Sequence, residues 1–123
     1  MREVPHSPEA EANAIGTMLL SEKAARQVSS MLKPEDFYRP AHRAVFAACV
    51  KLLAKGRALD FTTVPNELGE QFEAHGGMLG LIQIAESVPS AHNAQHYAEI
   101  VLDMAALRRL SDAARDVANL VND

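Results

Sequence analysis

Apolar residues recur along this chain at the three- and four-residue spacing of helices, and no convincing strand interrupts them. Val4-Pro5-His6 reads as a short extended lead-in, biased that way by the proline. Ser7-Pro8 then supplies an N-cap and a proline at the first helical position, with Glu9 and Glu11 near the positive end of the helix dipole. Ala14, Ile15, Met18 and Leu19 form the apolar face of this first helix. A second, short helix offers Ala25, Val28, Met31 and Leu32 until Lys33-Pro34 stops it. After a turn at Pro34-Glu35-Asp36 come Phe37 and Tyr38, and Pro40 opens a third helix whose face is Val45, Phe46, Cys49, Leu52 and Leu53. Gly56 sits where a left-handed C-terminal cap belongs. Asp60-Phe61-Thr62-Thr63 leads into a fourth helix capped by a threonine, with Val64, Leu68 and Phe72 on its face. Gly76-Gly77 breaks the chain before a fifth helix bearing Met78, Leu81, Ile82, Ile84 and Ala85, and Val88-Pro89-Ser90 breaks it again.

From about Asn93 to Leu120 there is neither proline nor glycine, which predicts one long helix or two with a kink. Its apolar stripe changes phase. Tyr97, Val101 and Met104 follow one seam, and Leu107, Leu110, Ala114, Val117 and Val121 follow another with the rhythm of a helix-pairing surface. Spacing alone leaves two readings of the second seam open: a surface that pairs with another helix, or a face that folds back on the same globule. No stop signal precedes Asn122-Asp123, so the chain reads as a segment of something longer.

Length and composition narrow the class. The 123 residues amount to one domain with a real core, and 48% of them are apolar. No apolar run approaches the ~20 residues of a membrane span, and Met1-Arg2-Glu3-Val4-Pro5 lacks the apolar part of a secretory signal. The single cysteine, Cys49, builds no disulfide framework and fits a reducing cytoplasm. A net charge of −4, with basic residues interspersed among acids, argues against the main grip on a nucleic acid.

Candidate chemistry is sparse. The chain has no phosphate loop, and Gly76-Gly77 with Gly80 reads as a loop and helix start instead. No nucleophile elbow is present either. His6, His42, His75, His92 and His96 are the candidates for metal or acid-base work. His92 and His96 have ligand spacing, but Asn93 caps the last helix and leaves His92 outside it, so the metal reading is set aside. His42 lies on an apolar face and reads as a packed, hydrogen-bonded ring, and Cys49 on the same face as a small buried hydrophobe. Glu35, Asp36 and Asp60 occupy turn and cap positions, where backbone N–H groups account for them. Catalytic, cofactor-binding and metal-binding residues are therefore all expected to be none. The cluster Phe37-Tyr38-Arg39-Pro40 with His42-Arg43 has two readings: Phe37 and Tyr38 plug the core while the arginines are solvated, which is favoured for Phe37, or a docking patch, which stays open for Tyr38, Arg39 and Arg43.

Taken in order, these motifs resemble one family. Pro5-His6-Ser7-Pro8-Glu9-Ala10-Glu11 resembles the P-H-S-x-E-A-E opening of replicative DNA helicases of the DnaB type. Asp36 to Phe46 is similar to that family's D-F-Y-x-x-x-H-x-x-I/V-F segment. Asp60 to Val64 resembles its D-x-x-T-L/V helix entry, and Gly76-Gly77 its double glycine. Val88 to Asn93 is similar to x-P-S-A-x-N, Tyr97 to Val101 to Y-A-x-I-V, and Arg108-Arg109-Leu110 to the start of a further helix. Two positions depart: Gly80 stands where the family has an aromatic in G-G-x-x-Y-L, which should loosen the fifth helix, and His92 replaces a small residue. The departures point to a divergent member, of the kind phages and plasmids carry.

The resemblance implies an all-α fold, a compact globular head of about six helices over residues 1–104 followed by the start of a helical hairpin over 105–123. It implies a non-catalytic N-terminal domain that pairs through its hairpins into a trimer-of-dimers collar on a hexameric, ATP-dependent 5′-to-3′ helicase in the cytoplasm. Primase, and in some systems a helicase loader, would dock on it. ATP and Mg would belong to a downstream RecA-like domain, with DNA met only through the full-length ring, and no membrane is involved. On this reading the seam Leu107, Leu110, Ala114, Val117 and Val121 belongs to the hairpin, which favours pairing over folding back. A free-standing adaptor that mimics this domain to capture helicase or primase is the alternative. A DNA-contacting module is the weakest reading, given the charge.

Overall fold

The structure, a computed structural model, describes residues 4–122. Met1–Glu3 and Asp123, the outer ends of the two expected segments, lie outside the described residues. The described chain is all-helical: α1 (Pro8–Leu20), α2 (Glu22–Met31), a 3-10 turn (Pro34–Asp36), α3 (Pro40–Ala54), α4 (Thr63–Leu68), α5 (Gln71–Ala74), α6 (Gly77–Glu86) and α7 (Ala94–Asn122). This is the expected all-α class, with no strand among the described residues.

Helix α1 is the hub, and α2, α3, α6 and the first half of α7 all pack on it. Ser7 Oγ accepts from the Ala10 N–H at 3.1 Å and Pro8 occupies the first turn, as the N-cap reading requires. Because α1 is enclosed on several sides, its buried set runs through Ala10, Ala14, Ile15, Gly16, Thr17 and Met18, a wider face than a surface helix shows. Gly16 sets the spacing to α6: a Cβ there would lie 2.7 Å from the Ile84 carbonyl oxygen. Thr17 satisfies its buried hydroxyl by donating to the Ala14 carbonyl at 2.6 Å.

Most sequence signals act where they stand. Leu32-Lys33 goes extended ahead of Pro34, while Ser21, which carried no reading in the sequence, ends α1 and caps α2 through the Ala24 N–H. Gly56, at φ +70°, closes α3 as a Schellman cap: the Arg57 N–H reaches Leu52 O and the Gly56 N–H reaches Leu53 O. Phe37 is fully buried against Phe46, ring centroids 4.7 Å apart.

Other signals are redirected. The fourth helix is cut in two at Gly69, φ +59°, so Val64 and Phe72 sit on separate helices, α4 and α5. The side chain that caps α4 is Asp60, which accepts from the Thr62 and Thr63 N–H groups, whereas Thr62 makes no such bond. Met78, expected on the inner face of α6, is exposed, and Leu81 and Ile84 carry that face, with Val88 buried just beyond the helix. Gly80 does not break α6, because the helix spans it and a Cβ there would meet nothing closer than His75 O at 3.9 Å. Arg108-Arg109-Leu110 starts no new helix; α7 is continuous from Ala94 to Asn122, and the boundary expected between residues 104 and 105 falls inside it.

Candidate functional site

Two faces of α7 do different things. Ala94, Ala98, Val101 and Ala105 are buried against the head, and nothing in α7 beyond Ala105 is. The predicted seam lies beyond that point and is open to solvent. Leu107 is 48% exposed, Leu110 67%, Val117 60% and Val121 78%; Ala114 is exposed as well. Leu120, absent from the predicted set, joins them at 75%. The seam does not fold back onto the head, and large side chains on one stripe of a projecting helix form an apolar surface of the kind that marks contact sites.

Where α7 leaves the head it is held by two arginines. Arg108 donates to Pro5 O at 2.8 Å and to Asp36 O at 2.6 Å, and Arg109 pairs with the Asp36 carboxylate. The other Asp36 oxygen accepts from the Lys33 N–H at 2.8 Å, so this buried acid closes its own turn and tethers α7 at once. Tyr38, 39% exposed, stacks on His6 at 4.3 Å, with the Arg108 guanidinium 5.4 Å from its ring centroid. The lead-in, Tyr38 and the seam thereby line one open groove of about 760 Å³, with Val4, Pro5, Leu107 and Leu110 on its walls.

The other two residues of the expected patch point elsewhere. Arg43 turns back to donate to Phe37 O at 3.0 Å. Arg39 lines a separate cleft between α1, the start of α3 and α6. Tyr38, Arg39 and Arg43 are thus near in sequence without forming one continuous face.

What holds this corner together is Glu11, which the sequence placed only as a dipole partner. It is 1% exposed and accepts from the Tyr38 N–H at 2.6 Å, the Arg39 N–H at 3.3 Å and His42 Nδ1 at 2.8 Å. Burial raises its pKa, but the hydrogen bonds from His42 and the two N–H groups, with the charge of His42, outweigh that and leave it below the ordinary value. His42 is accordingly the packed, hydrogen-bonded ring expected of it. Burial pushes the Cys49 thiol up to about 12, and the side chain behaves as a small hydrophobe among the α3 core residues. The signal for Glu11 was present as a pairing of motifs, since it closes one string that resembles the family and His42 belongs to the next. Asp36, Arg108 and Arg109 also stand in such strings, but nothing in either string shows that residues seventy positions apart meet.

Among the described residues no group of three or more His, Cys, Asp or Glu side chains is placed to hold a metal ion, and no helix is long and apolar enough to cross a membrane.

Known proteins share this arrangement. A family profile described as the DnaB-like helicase N terminal domain matches residues 3–103. The chain is 40% identical over 116 residues to the replicative DNA helicase DnaB of Geobacillus stearothermophilus, covering 93% of this chain and 26% of that protein. It is 39% identical over 122 residues to the DnaB of Leifsonia xyli subsp. xyli, covering 97% and 26%. The chain therefore spans about a quarter of the length of the curated relatives it matches. Among solved structures, the N-terminal domain of the DnaB helicase from Mycobacterium tuberculosis superposes with a TM-score of 0.91 at 39% identity, over 95% of this chain and 85% of that one. The N-terminal domain of the Helicobacter pylori DnaB helicase, a structure described together with its interactions with primase, gives 0.79 at 20% identity, over 94% and 91%, a likeness of fold. Motifs, helical architecture and matches over nearly the whole chain agree, and the protein belongs to the DnaB-like helicase N terminal domain family.

Proposed function

We propose that this chain is the non-catalytic assembly and docking domain of a hexameric, ATP-dependent 5′-to-3′ replicative helicase acting in the cytoplasm. Leu107, Leu110, Ala114, Val117 and Val121 pair with a second copy as the first step towards a trimer-of-dimers collar. Of the expected patch of Tyr38, Arg39 and Arg43, the part carried forward as the secondary docking surface is Tyr38 with the groove it lines, offered to primase or a loader. ATP and Mg act in a domain outside this chain, and DNA is met by the complete ring. The observation that carries the reading is the apolar stripe on a helix that leaves the head, with Leu110, Val117 and Val121 each more than half exposed. Burying such side chains is worth about 25 cal/mol per Å² of apolar surface, so covering the stripe drives association.

The experiment is sedimentation analysis of the parent helicase carrying Leu110→Asp and Val117→Asp, with primase titrated against the same protein and against a Tyr38→Ala variant. Loss of the hexamer in the first variant and weakened primase binding in the second are expected. A full hexamer in the doubly charged seam would rule the seam out as the pairing surface, and undiminished primase binding in Tyr38→Ala would remove the docking assignment.

A further inference from the structure

The tether at the root of α7 has two anchors of unequal strength. The Arg108 guanidinium spans two carbonyl oxygens, Asp36 O at 2.6 Å and Pro5 O at 2.8 Å. The Asp36 side is fixed: the residue is buried, its carboxylate closes the 3-10 turn on the Lys33 N–H, and Arg109 binds it as well. The Pro5 side belongs to the lead-in, and the described chain has no buried residue before Ala10. Neither Val4 nor Pro5 joins the core. Val4, Pro5 and His6 make one hydrogen bond to the rest of the described chain, the one from Arg108, and one ring contact, His6 stacked on Tyr38 with planes 29° apart.

Packing does not take over where these contacts end. Beyond Ala105 no described residue of α7 is buried. Between the lead-in and α7 lies the open groove, with Val4 and Pro5 from one element and Leu107, Leu110 and Ser111 from the other. The separation across it is therefore set by Arg108, and by the stack that keeps the lead-in within reach of Arg108. His6 Nδ1 donates to Val4 O at 2.7 Å, which folds the lead-in tightly and holds its ring against Tyr38. The same Tyr38 ring lies 5.4 Å from the Arg108 guanidinium carbon. One guanidinium thus joins a buried turn to a surface strap, and the strap, with few buried contacts, is the half that opens at low cost.

We infer that the lead-in is a latch on α7. Closed, it fixes the direction in which the helix leaves the head. Open, it leaves α7 with its Asp36 anchor alone, and the helix pivots there. The consequence rests on the proposed pairing role of the seam, because the seam is presented at the angle that the latch sets. The latch itself is read within one molecule, so a seam that fails to pair leaves it standing, and a latch that fails leaves the seam untouched.

Spin labels on Lys23→Cys in α2 and Ala113→Cys just past the tether, both exposed positions, report the direction of α7 as a distance distribution by pulsed dipolar spectroscopy. Unlabelled chain in excess restricts the signal to distances within one molecule, and Cys49, being buried, takes no label in the folded chain. One narrow distribution with a minor released component is expected when the latch is intact. His6→Ala, at a half-buried surface position, should raise the released share roughly two- to tenfold, the size of one aromatic contact. Arg108→Lys keeps the charge but cannot span two carbonyls, and should broaden the distribution at least as much. His6→Ala added to Arg108→Lys should change nothing more, because both open the same latch. Circular dichroism of each variant should match that of the unsubstituted chain, since no core residue is altered. A broad distribution in the unsubstituted chain overturns the inference. So does an unmoved one in His6→Ala, or broadening that adds when the two substitutions are combined.

Discussion

Removing the Glu11 carboxylate should unfold this domain more readily than any substitution on its projecting helix. Glu11→Ala strands three donors at once: the Tyr38 N–H at 2.6 Å, the longer and weaker Arg39 N–H at 3.3 Å, and His42 Nδ1 at 2.8 Å. A buried donor left without a partner costs about 1–3 kcal/mol. The two backbone groups lie near the surface and regain some water, roughly 1 kcal/mol each, while the buried His42 sits at the upper end, so the sum is about 4 kcal/mol. Breaking a buried charged pair from one side gives the same range, about 3–5 kcal/mol. With an m-value of about 1.5 kcal/mol/M, the urea midpoint should fall by about 3 M with no change in slope. Glu11→Gln keeps one acceptor oxygen but turns an NH2 group on donors, and should cost about half as much. The pH dependence has a definite sign. The folded carboxyl sits below its ordinary 4.5, so its stabilisation is complete above that value and fades as pH falls through the lower, folded one. The gap between the wild-type and Glu11→Gln proteins should therefore shrink below pH 4.5. A midpoint shift under about 0.5 M in Glu11→Ala, or a gap that widens in acid, would refute this account of the corner.

Gly16→Ala forces a Cβ to within 2.7 Å of the Ile84 carbonyl and should lower stability by about 1–3 kcal/mol, despite the better helix propensity of alanine; a raised melting temperature would show that α6 moves freely on α1. Asp36→Ala removes acceptors from both the Lys33 N–H and Arg109, and should cost about 2–3 kcal/mol. Arg109→Ala removes an arginine whose side chain is 62% exposed, and should cost under ~1 kcal/mol; equal costs in thermal unfolding would mean that the tether, and not the turn, dominates. Cys49, fully buried with its thiol pushed up to about 12, should react with a disulfide reagent at pH 8 only after unfolding; labelling at the speed of an open thiol would place it outside the core.

The sequence was most readable where a signal is local. Ser7-Pro8, Pro40 and Gly56 act on backbone groups within four residues of themselves, and each caps or opens a helix as its chemistry requires. Readings failed where a local pattern competed with a long-range one. Leu68 and Phe72 kept helical spacing across Gly69, yet the glycine takes a positive φ that no helix interior has, and this divided the helix. Met78 had the right period for the inner face of α6, but α1 approaches through Gly16 at the far end of α6, beside Ile84 and the Ser87-Val88 exit, and leaves Met78 exposed. The seam was legible as a change of phase in α7, since an apolar stripe that rotates round a helix must face two different surroundings. The tether was not legible, because Asp36 meets Arg108 and Arg109 only after the whole head has folded.

Helix α7 combines these two kinds of information. Its first half is held by burial through Ala105, and Arg108 and Arg109 fasten the next turn to Pro5 and Asp36. The remainder, residues 110–122, extends roughly 20 Å at 1.5 Å per residue and has little to hold it. One weak i,i+3 contact, Arg115 to Asp112 at 3.6 Å, is the only ion pair along it among the described residues. Isolated helices shorter than ~12–15 residues are marginal in water, and most helix stability in proteins comes from packing. Exposure along the seam rises from 48% at Leu107 to 78% at Val121, so this part of the helix forfeits packing at the end where it most needs it. A partner helix laid on the stripe would supply that packing, and the tether would fix the angle at which the two heads are then presented. If the seam pairs as proposed, assembly and the order of the distal helix would be one equilibrium, and the arginine-held turn would convert the pairing of two helices into a defined placement of two heads.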